Sequence, residues 1–196
     1  MLDKVSRETS VYVEILLKWN KRINLISNRD VDSIFNRHVL DSAQLLPYIN
    51  DKKSHIADLG SGAGFPGVVL NILGCENVSL IEQDERKCVF LREVKRQLNL
   101  SYEVINADIQ SIDSKFDICV SRGLGSLITL LRYSQSLLVE DGYCLFLKGK
   151  KVDEELEQAC LKFIFNYKKH SSISDENGIV LEVRNIKTIA NEKHHN

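Results

Sequence analysis

The sequence predicts an α/β fold, a mostly parallel sheet with helices on both faces. Three observations predict it. Between residues 55 and 165, short apolar runs alternate with stretches whose apolar residues recur at helical spacing. A glycine-rich stretch, Ile-Ala-Asp-Leu-Gly-Ser-Gly-Ala-Gly-Phe-Pro-Gly (56–67), follows the first of those runs and leads into a helical one. The chain then closes on two strand-like runs joined by Asp175-Glu-Asn-Gly178, a hairpin signal.

Residues 1 to about 50 read as helical. Tyr12, Ile15, Leu16 and Trp19 fall at i, i+3, i+4 and i+7, one face of a helix. Val31, Ile34, Phe35 and His38 repeat that spacing, with Asp30 placed to cap them. Pro47 and the polar Asn50-Asp-Lys-Lys53 close this section, and no linker there is long enough to separate an independent domain. The expected organisation is a helical extension over 1–53 packed on a core domain over 54–190, with a polar tail over 191–196. Strands are expected at about 55–59, 78–82, 102–106, 116–121 and 143–147. The first helix of the alternation begins near Pro66, a suitable first helical residue. Asp84 caps the next, whose Phe90, Leu91, Val94 and Leu98 share a face. Further helices are expected over 124–139, stopped near Asp141-Gly142, and over 152–165. The closing hairpin takes about 166–174 and 178–186, which makes seven strands in all.

Composition narrows the function. With 196 residues, 43% of them hydrophobic, the chain can bury a full core. The net charge of −1, with acids and bases interspersed, excludes a globally basic nucleic-acid binder, so contact with RNA needs a local patch. Cys75, Cys88, Cys119, Cys144 and Cys160 contain no C-x-x-C pair and read as buried, reduced thiols rather than a disulfide or zinc site. No metal is expected, since adjacent His194 and His195 make a poor ligand spacing. No apolar signal core and no membrane-spanning run are visible, so a soluble cytoplasmic protein without a membrane partner is expected, with monomer as the default.

Ligands of such sheets bind beyond the carboxyl ends of the strands. That rule selects Gly60 to Gly64, Glu82, Ala107-Asp108, Ser121-Arg122 and Lys148-Gly149. Two ligands compete for the glycine loop. Gly62-Ala-Gly64-Phe-Pro-Gly67 matches G-x-G-x-x-G, a dinucleotide fingerprint, with Glu82 at the distance of a ribose-binding acid. Asp58 opposes that reading, because it would set a negative charge near a pyrophosphate. Counted from Asp58, the spacing acidic-x-Gly-x-Gly-x-Gly is the pattern of S-adenosylmethionine-dependent methyltransferases. That cofactor is cationic at its sulfonium and α-amino group. Asp58 near the amino group, Glu82 accepting the ribose hydroxyls and Asp108 beside the adenine would meet its needs. The expectation is therefore a class I methyltransferase sheet, Rossmann-like and closed by an antiparallel hairpin. An NAD-type oxidoreductase and a non-catalytic RNA- or partner-binding protein on the same fold are the alternatives.

A set of motifs adds a resemblance. Trp19-Asn-Lys-Arg-Ile-Asn-Leu25, Arg37-His-Val-Leu-Asp-Ser42, Asp58-Leu-Gly-Ser-Gly-Ala-Gly-Phe-Pro-Gly67, Ser121-Arg122 and Lys148-Gly149 occur in this order. Together they resemble the bacterial small-subunit rRNA guanine-N7 methyltransferase family, RsmG or GidB, over most of the chain. The resemblance implies methylation at N7 of guanine 527 in the 530 loop of 16S rRNA. It places the cofactor at Gly60 and Phe65, at Ala107-Asp108 and at Arg122; Asp58, Gly62 and Glu82 complete the set. Glu82 stands where the family usually has aspartate, Asp108 where glutamate is common, Gly123 and Gly125 where alanines are usual, and Asn106 where arginine is frequent.

Guanine N7 carries an in-plane lone pair and needs no deprotonation. The expected step is a single in-line displacement served by orientation and a dry site, and no catalytic acid or base is assigned. Candidates to hold RNA are Lys21, Arg22, Arg37 and His38 in the N-terminal section and Arg122, Lys148, Lys150 and Lys151 at the strand ends. Lys21 and Arg22 read equally as a solvated helix end, and His38 as a hydrogen-bonded core residue. Arg122 directly follows a buried strand, where an arginine is costly unless it meets an anion. Its partner is expected to be a cofactor carboxylate, a phosphate, Asp58 or Asp108. Trp19 reads as a packing anchor. The expected partner is 16S rRNA within the small ribosomal subunit or an assembly intermediate, with the target base presented unstacked.

Overall fold

The computed structural model describes residues 2–27, 31 and 33–189. The Asp30 cap and the two tail histidines lie outside them. Helix α1 (Leu2–Asn20) opens the chain. Tyr12, Ile15 and Leu16 are buried on its inner face, and the Trp19 ring lies 5.8 Å from that of Phe90. Burial of each such side chain contributes about 1.5–3 kcal/mol, which holds α1 against the two helices over Gly67–Ile72 and Glu85–Leu98. The second apolar set does not make an ordinary α-helix. A wider π-helical turn, Phe35–Leu40, runs directly into a short helix, α2 (Asp41–Ala43).

The sheet has seven strands: β1 (His55–Leu59), β2 (Asn77–Glu82), β3 (Glu103–Asn106), β4 (Phe116–Arg122), β5 (Leu138–Lys148), β6 (Phe163–Ser171) and β7 (Ile179–Thr188). Their order is β3-β2-β1-β4-β5-β7-β6; β7 runs antiparallel to both of its neighbours, and the other pairings are parallel. Alternation along each strand serves two cores. Ile56, Leu80, Val120 and Leu145 face α1, α3 (Gly67–Ile72) and α4 (Glu85–Leu98). Ala57, Ile81, Cys119 and Phe146 face α5 (Leu127–Leu137) and α6 (Val152–Cys160).

Several expected boundaries move, the ends of two helices among them. Helix α5 ends at Leu137 because Leu138 already pairs with Phe116; the register then shifts so that Tyr143 faces Ile118, and Asp141-Gly142 lies within that irregularity. Helix α6 ends at Cys160, not near 165, because Phe163 opens β6 opposite Thr188 and is buried in the second core. The five cysteines are free, and four are buried as expected; Cys160, at the end of α6, is exposed. Among the described residues no helix is long and apolar enough to cross a membrane, and no group of three or more His, Cys, Asp or Glu could hold a metal ion.

Candidate active site

The loop between β1 and α3 is folded by its own backbone. Gly60, Gly62 and Gly64 have φ of +68°, +56° and +94°, the left-handed region that side chains with a Cβ rarely adopt. The amides of Gly60 and Ser61 donate to the Ile81 carbonyl at 3.0 and 3.1 Å, and that of Gly64 to Ser61 at 2.7 Å. Two carboxylates brace the loop. Glu82 Oε2 accepts from the Gly62 amide at 2.9 Å while its Oε1 accepts from Asp84 at 2.8 Å. Asp58 Oδ2 accepts from the Gly67 amide at 3.0 Å, at the start of α3. The Tyr12 hydroxyl donates to the Ala63 carbonyl from the α1 side.

Beyond the strand ends this loop lines a cleft of about 480 Å³. Gly60, Gly62, Phe65, Glu82, Ala107, Asp108 and Arg122 all lie on its wall. Asp58 does not. The pleat of β1 turns it away from the cleft, and it is fully buried. Burial pushes its carboxyl up to about 7, against the Gly67 amide, which favours the ionised form. It acts on the loop as a brace from below rather than as a wall residue, which corrects its expected place beside a ligand's amino group.

The wall is chemically selective. The amides that a pyrophosphate would use, at Gly62 and at the head of α3, are already taken by Glu82 and Asp58. Glu82 and Asp108 add acidic oxygens, with Ile81, Ile109 and Leu124 as apolar flanks. Each carboxylate oxygen has lone pairs beyond the bonds it makes here. With the loop amides occupied and two carboxylates on the wall, beside Lys87 and Arg122, the lining fits S-adenosylmethionine, which offers cationic and hydroxyl donors and one carboxylate, better than a dinucleotide.

A second cleft, of about 600 Å³, adjoins the first and shares Arg122 and Gly123 with it. Gly123 has φ of +75°, so an alanine there would be strained in this chain. Arg122 pairs with neither Asp58 nor Asp108. Its Nε donates to Asp41 Oδ2 at 2.8 Å, and its Nη1 meets Nδ1 of His38. His38 is buried, and its ring stacks on Phe65 with centroids 5.0 Å apart. It is a wall residue of the first cleft, not part of an exposed RNA-facing surface. Lys148 lines the second cleft, but its ammonium lies 2.6 Å from Glu155, with the side chain 9% exposed. Glu155 also accepts from the Leu127 amide at the head of α5, so Lys148 ties β5 to two helices and is not an open RNA contact. Arg37 is exposed and lines the second cleft; Lys21, Arg22, Lys150 and Lys151 are exposed on turns.

Sequence reasoning missed two groups. Asn20 Oδ1 accepts from the amides of Leu25 and Ile26 at 2.9 and 3.0 Å, closing a turn that presents Leu25, Ile26 and Ser27 to the first cleft. The motif Trp19–Leu25, whose Lys21 and Arg22 are candidates to hold RNA, thus ends in a wall of the first cleft. Asp41 was the other omission. Its signal was indirect: an arginine at a buried strand end requires an acid, and Arg37-His-Val-Leu-Asp-Ser42 contains one.

Comparison with known proteins agrees with this geometry. The protein-family model described as rRNA small subunit methyltransferase G (GidB) matches residues 6–183. The Ribosomal RNA small subunit methyltransferase G of Orientia tsutsugamushi (strain Ikeda) is 45% identical over 184 residues, 92% of each chain. The fold is similar to that of ribosomal protein L11 methylase from Lactobacillus delbrueckii subsp. bulgaricus, 22% identical, with a TM-score of 0.61 over 74% of this chain and 76% of that one. It is also similar to M. jannaschii TYW2 in complex with AdoMet, 15% identical, with a TM-score of 0.57 over 83% of this chain and 77% of that one. The architecture is the class I S-adenosylmethionine-dependent methyltransferase sheet.

Proposed function

The chain belongs to the rRNA small subunit methyltransferase G family, and from that premise we propose that it methylates N7 of a guanine in 16S rRNA, guanine 527 of the 530 loop. S-adenosylmethionine supplies an electrophilic methyl group. The N7 lone pair forms the new N–C bond as the C–S bond breaks, the electron pair leaves with sulfur, and the positive charge passes to the purine. No proton moves in this step, so the protein needs no general base. Its work is to orient the two reactants and exclude water.

We assign Gly60, Gly62, Phe65, Glu82, Ala107 and Asp108 to the cofactor, with Asp58 bracing their loop. Arg122 faces both reactants at the seam. Arg37 and the exposed Lys21, Arg22, Lys150 and Lys151 serve the RNA backbone. One observation carries the reading: a cleft with Glu82 and Asp108 on its wall, the Gly62 and Gly67 amides of its loop already bonded to Glu82 and Asp58, opens beside a second cleft and shares Arg122 with it. The acting unit is taken as a cytoplasmic monomer, and the substrate as the small ribosomal subunit or an intermediate of its assembly.

The test is methyl transfer to ribosomal RNA from a strain lacking this gene, with the modified base mapped. Methylation at a single guanine N7 is expected; transfer to another position, or none, rejects the assignment. In a thermal-shift comparison, S-adenosylmethionine or its demethylated product should stabilise the protein and NAD should not.

A further inference from the structure

We infer that Asp41 is a positioning residue for methyl transfer: it sets the guanidinium of Arg122 at the seam of the two clefts, and the turn between β6 and β7 holds Asp41 in place. This rests on the reaction proposed above. Arginine presents its N–H donors in a rigid planar fork and accepts no hydrogen bond. Fixing two of its nitrogens therefore fixes the direction of the whole group. Asp41 Oδ2 takes Nε at 2.8 Å, and His38 Nδ1 takes Nη1. Because Arg122 only donates, Nδ1 is the acceptor of this bond. Among the described residues no protein group accepts from Nη2, so that edge of the fork remains for a reactant.

Asp41 is itself gripped from the far side. Its Oδ1 accepts from Ser174 Oγ at 2.8 Å and from Gln44 Nε2 at 2.7 Å. Gln44 is buried, and its Oε1 accepts from the Ile173 amide at 2.9 Å, which pins the turn to α2. The side chains of Arg122 and Asp41 are 22% and 17% exposed. A carboxylate with both oxygens engaged cannot turn to follow a mobile arginine; the arginine conforms to it. The bonds join positions 81 and 133 residues apart in the chain. An exposed pair such as Lys169–Asp153 has no comparable support.

The experiment measures single-turnover and steady-state methyl transfer to rRNA, cofactor affinity and Tm for wild type, Asp41→Asn, Arg122→Ala and the double variant. Asp41→Asn should lower kcat about 10- to 100-fold by misorienting Arg122. It should leave KM for RNA and the cofactor Kd within about threefold. In the Arg122→Ala background it should add nothing, because both changes remove one shared function. An equal loss in both backgrounds, or cofactor affinity falling as far as turnover, overturns the inference. Should Asp41→Asn fail to fold, Ser174→Ala removes a single donor to Asp41. Its expected loss is about two- to fivefold, restored by Ser174→Thr, which keeps the hydroxyl. A loss that threonine does not restore overturns the inference as well. Wild-type protein without activity on rRNA overturns the proposed function and this inference together, whereas an active wild type with additive variants overturns this inference alone.

Discussion

The wall of the cleft at residues 60–64 is made largely of main chain. It turns through three left-handed glycines, and the loop's amides at Gly62 and Gly67 are bonded to two carboxylates within one neighbouring strand pair. The wall at Arg122 is made of side chains, from the π-helical turn, α2, the end of β4 and the β6–β7 turn. The first is tightest at Gly64, where one added atom disrupts it. The second is distributed over several bonds, so each change should cost activity in steps and leave the fold standing.

The comparison breaks first at Gly64. A Cβ there would lie 2.5 Å from Val68 and 3.0 Å from the Tyr12 hydroxyl, at φ of +94°. We predict that Gly64→Ala costs about 2–6 kcal/mol, from backbone strain plus overpacking, and abolishes cofactor binding; denaturant unfolding and calorimetry measure both. A variant that folds and binds like wild type would show that the loop has slack. Next is Arg122→Ala, expected to lower turnover about 100-fold. Asp41 keeps its bonds to Ser174 and Gln44 there, so stability should fall by only about 1–3 kcal/mol. Unfolding of this variant would mean that the distributed wall is structural first.

Glu82→Gln is expected to weaken cofactor binding about tenfold, since one charge-assisted bond is lost. Glutamine cannot accept from both the Gly62 and Asp84 amides without turning its own NH₂ toward one of them. Titration calorimetry reads the loss, and an unchanged affinity would remove Glu82 from the cofactor site. The smallest effect on turnover belongs to Asp58→Asn, which keeps an acceptor for the Gly67 amide. Its signature is in pH. The folded value of Asp58, about 7, lies above the ordinary 3.8. The folded chain thus holds a proton that the unfolded chain releases, and the stability contributed at this site is full at low pH and lost as pH rises toward 7. Wild type should therefore lose stability relative to Asp58→Asn between about pH 4 and pH 7, and no further above it. A flat difference across that range would mean that the Gly67 amide keeps the carboxylate ionised.

The same contrast explains what was legible in the sequence. The glycine loop, the Asp84 cap and the strand ends at Glu82 and Ala107-Asp108 carry their signal in local residue types and spacing, and reading the sequence locates them. The Asp84 side chain accepts from the Arg86 amide as expected. The end of α6 was misjudged because Val152, Leu156, Ala159 and Phe163 keep helical spacing, while pairing with β7 decides the conformation of Phe163. Asp41 with Arg122, and Lys148 with Glu155, were invisible for a different reason. The first joins positions 81 residues apart and the second spans the turn from β5 into α6, and charge alone does not say which acid a given cation will find.

Phe65 lies between Tyr12 and His38, with ring centroids 5.3 and 5.0 Å away. A ring of the glycine loop therefore leans on the histidine that supports Arg122. Occupancy of the first cleft, by settling Phe65, should alter the poise of the arginine that faces the second. Such coupling is reciprocal in free energy. We expect RNA to change the affinity for the cofactor by the same factor as the cofactor changes the affinity for RNA. Paired titrations, each ligand with and without the other, would measure the communication between the clefts, and independent affinities would show that the Phe65–His38 stack transmits nothing.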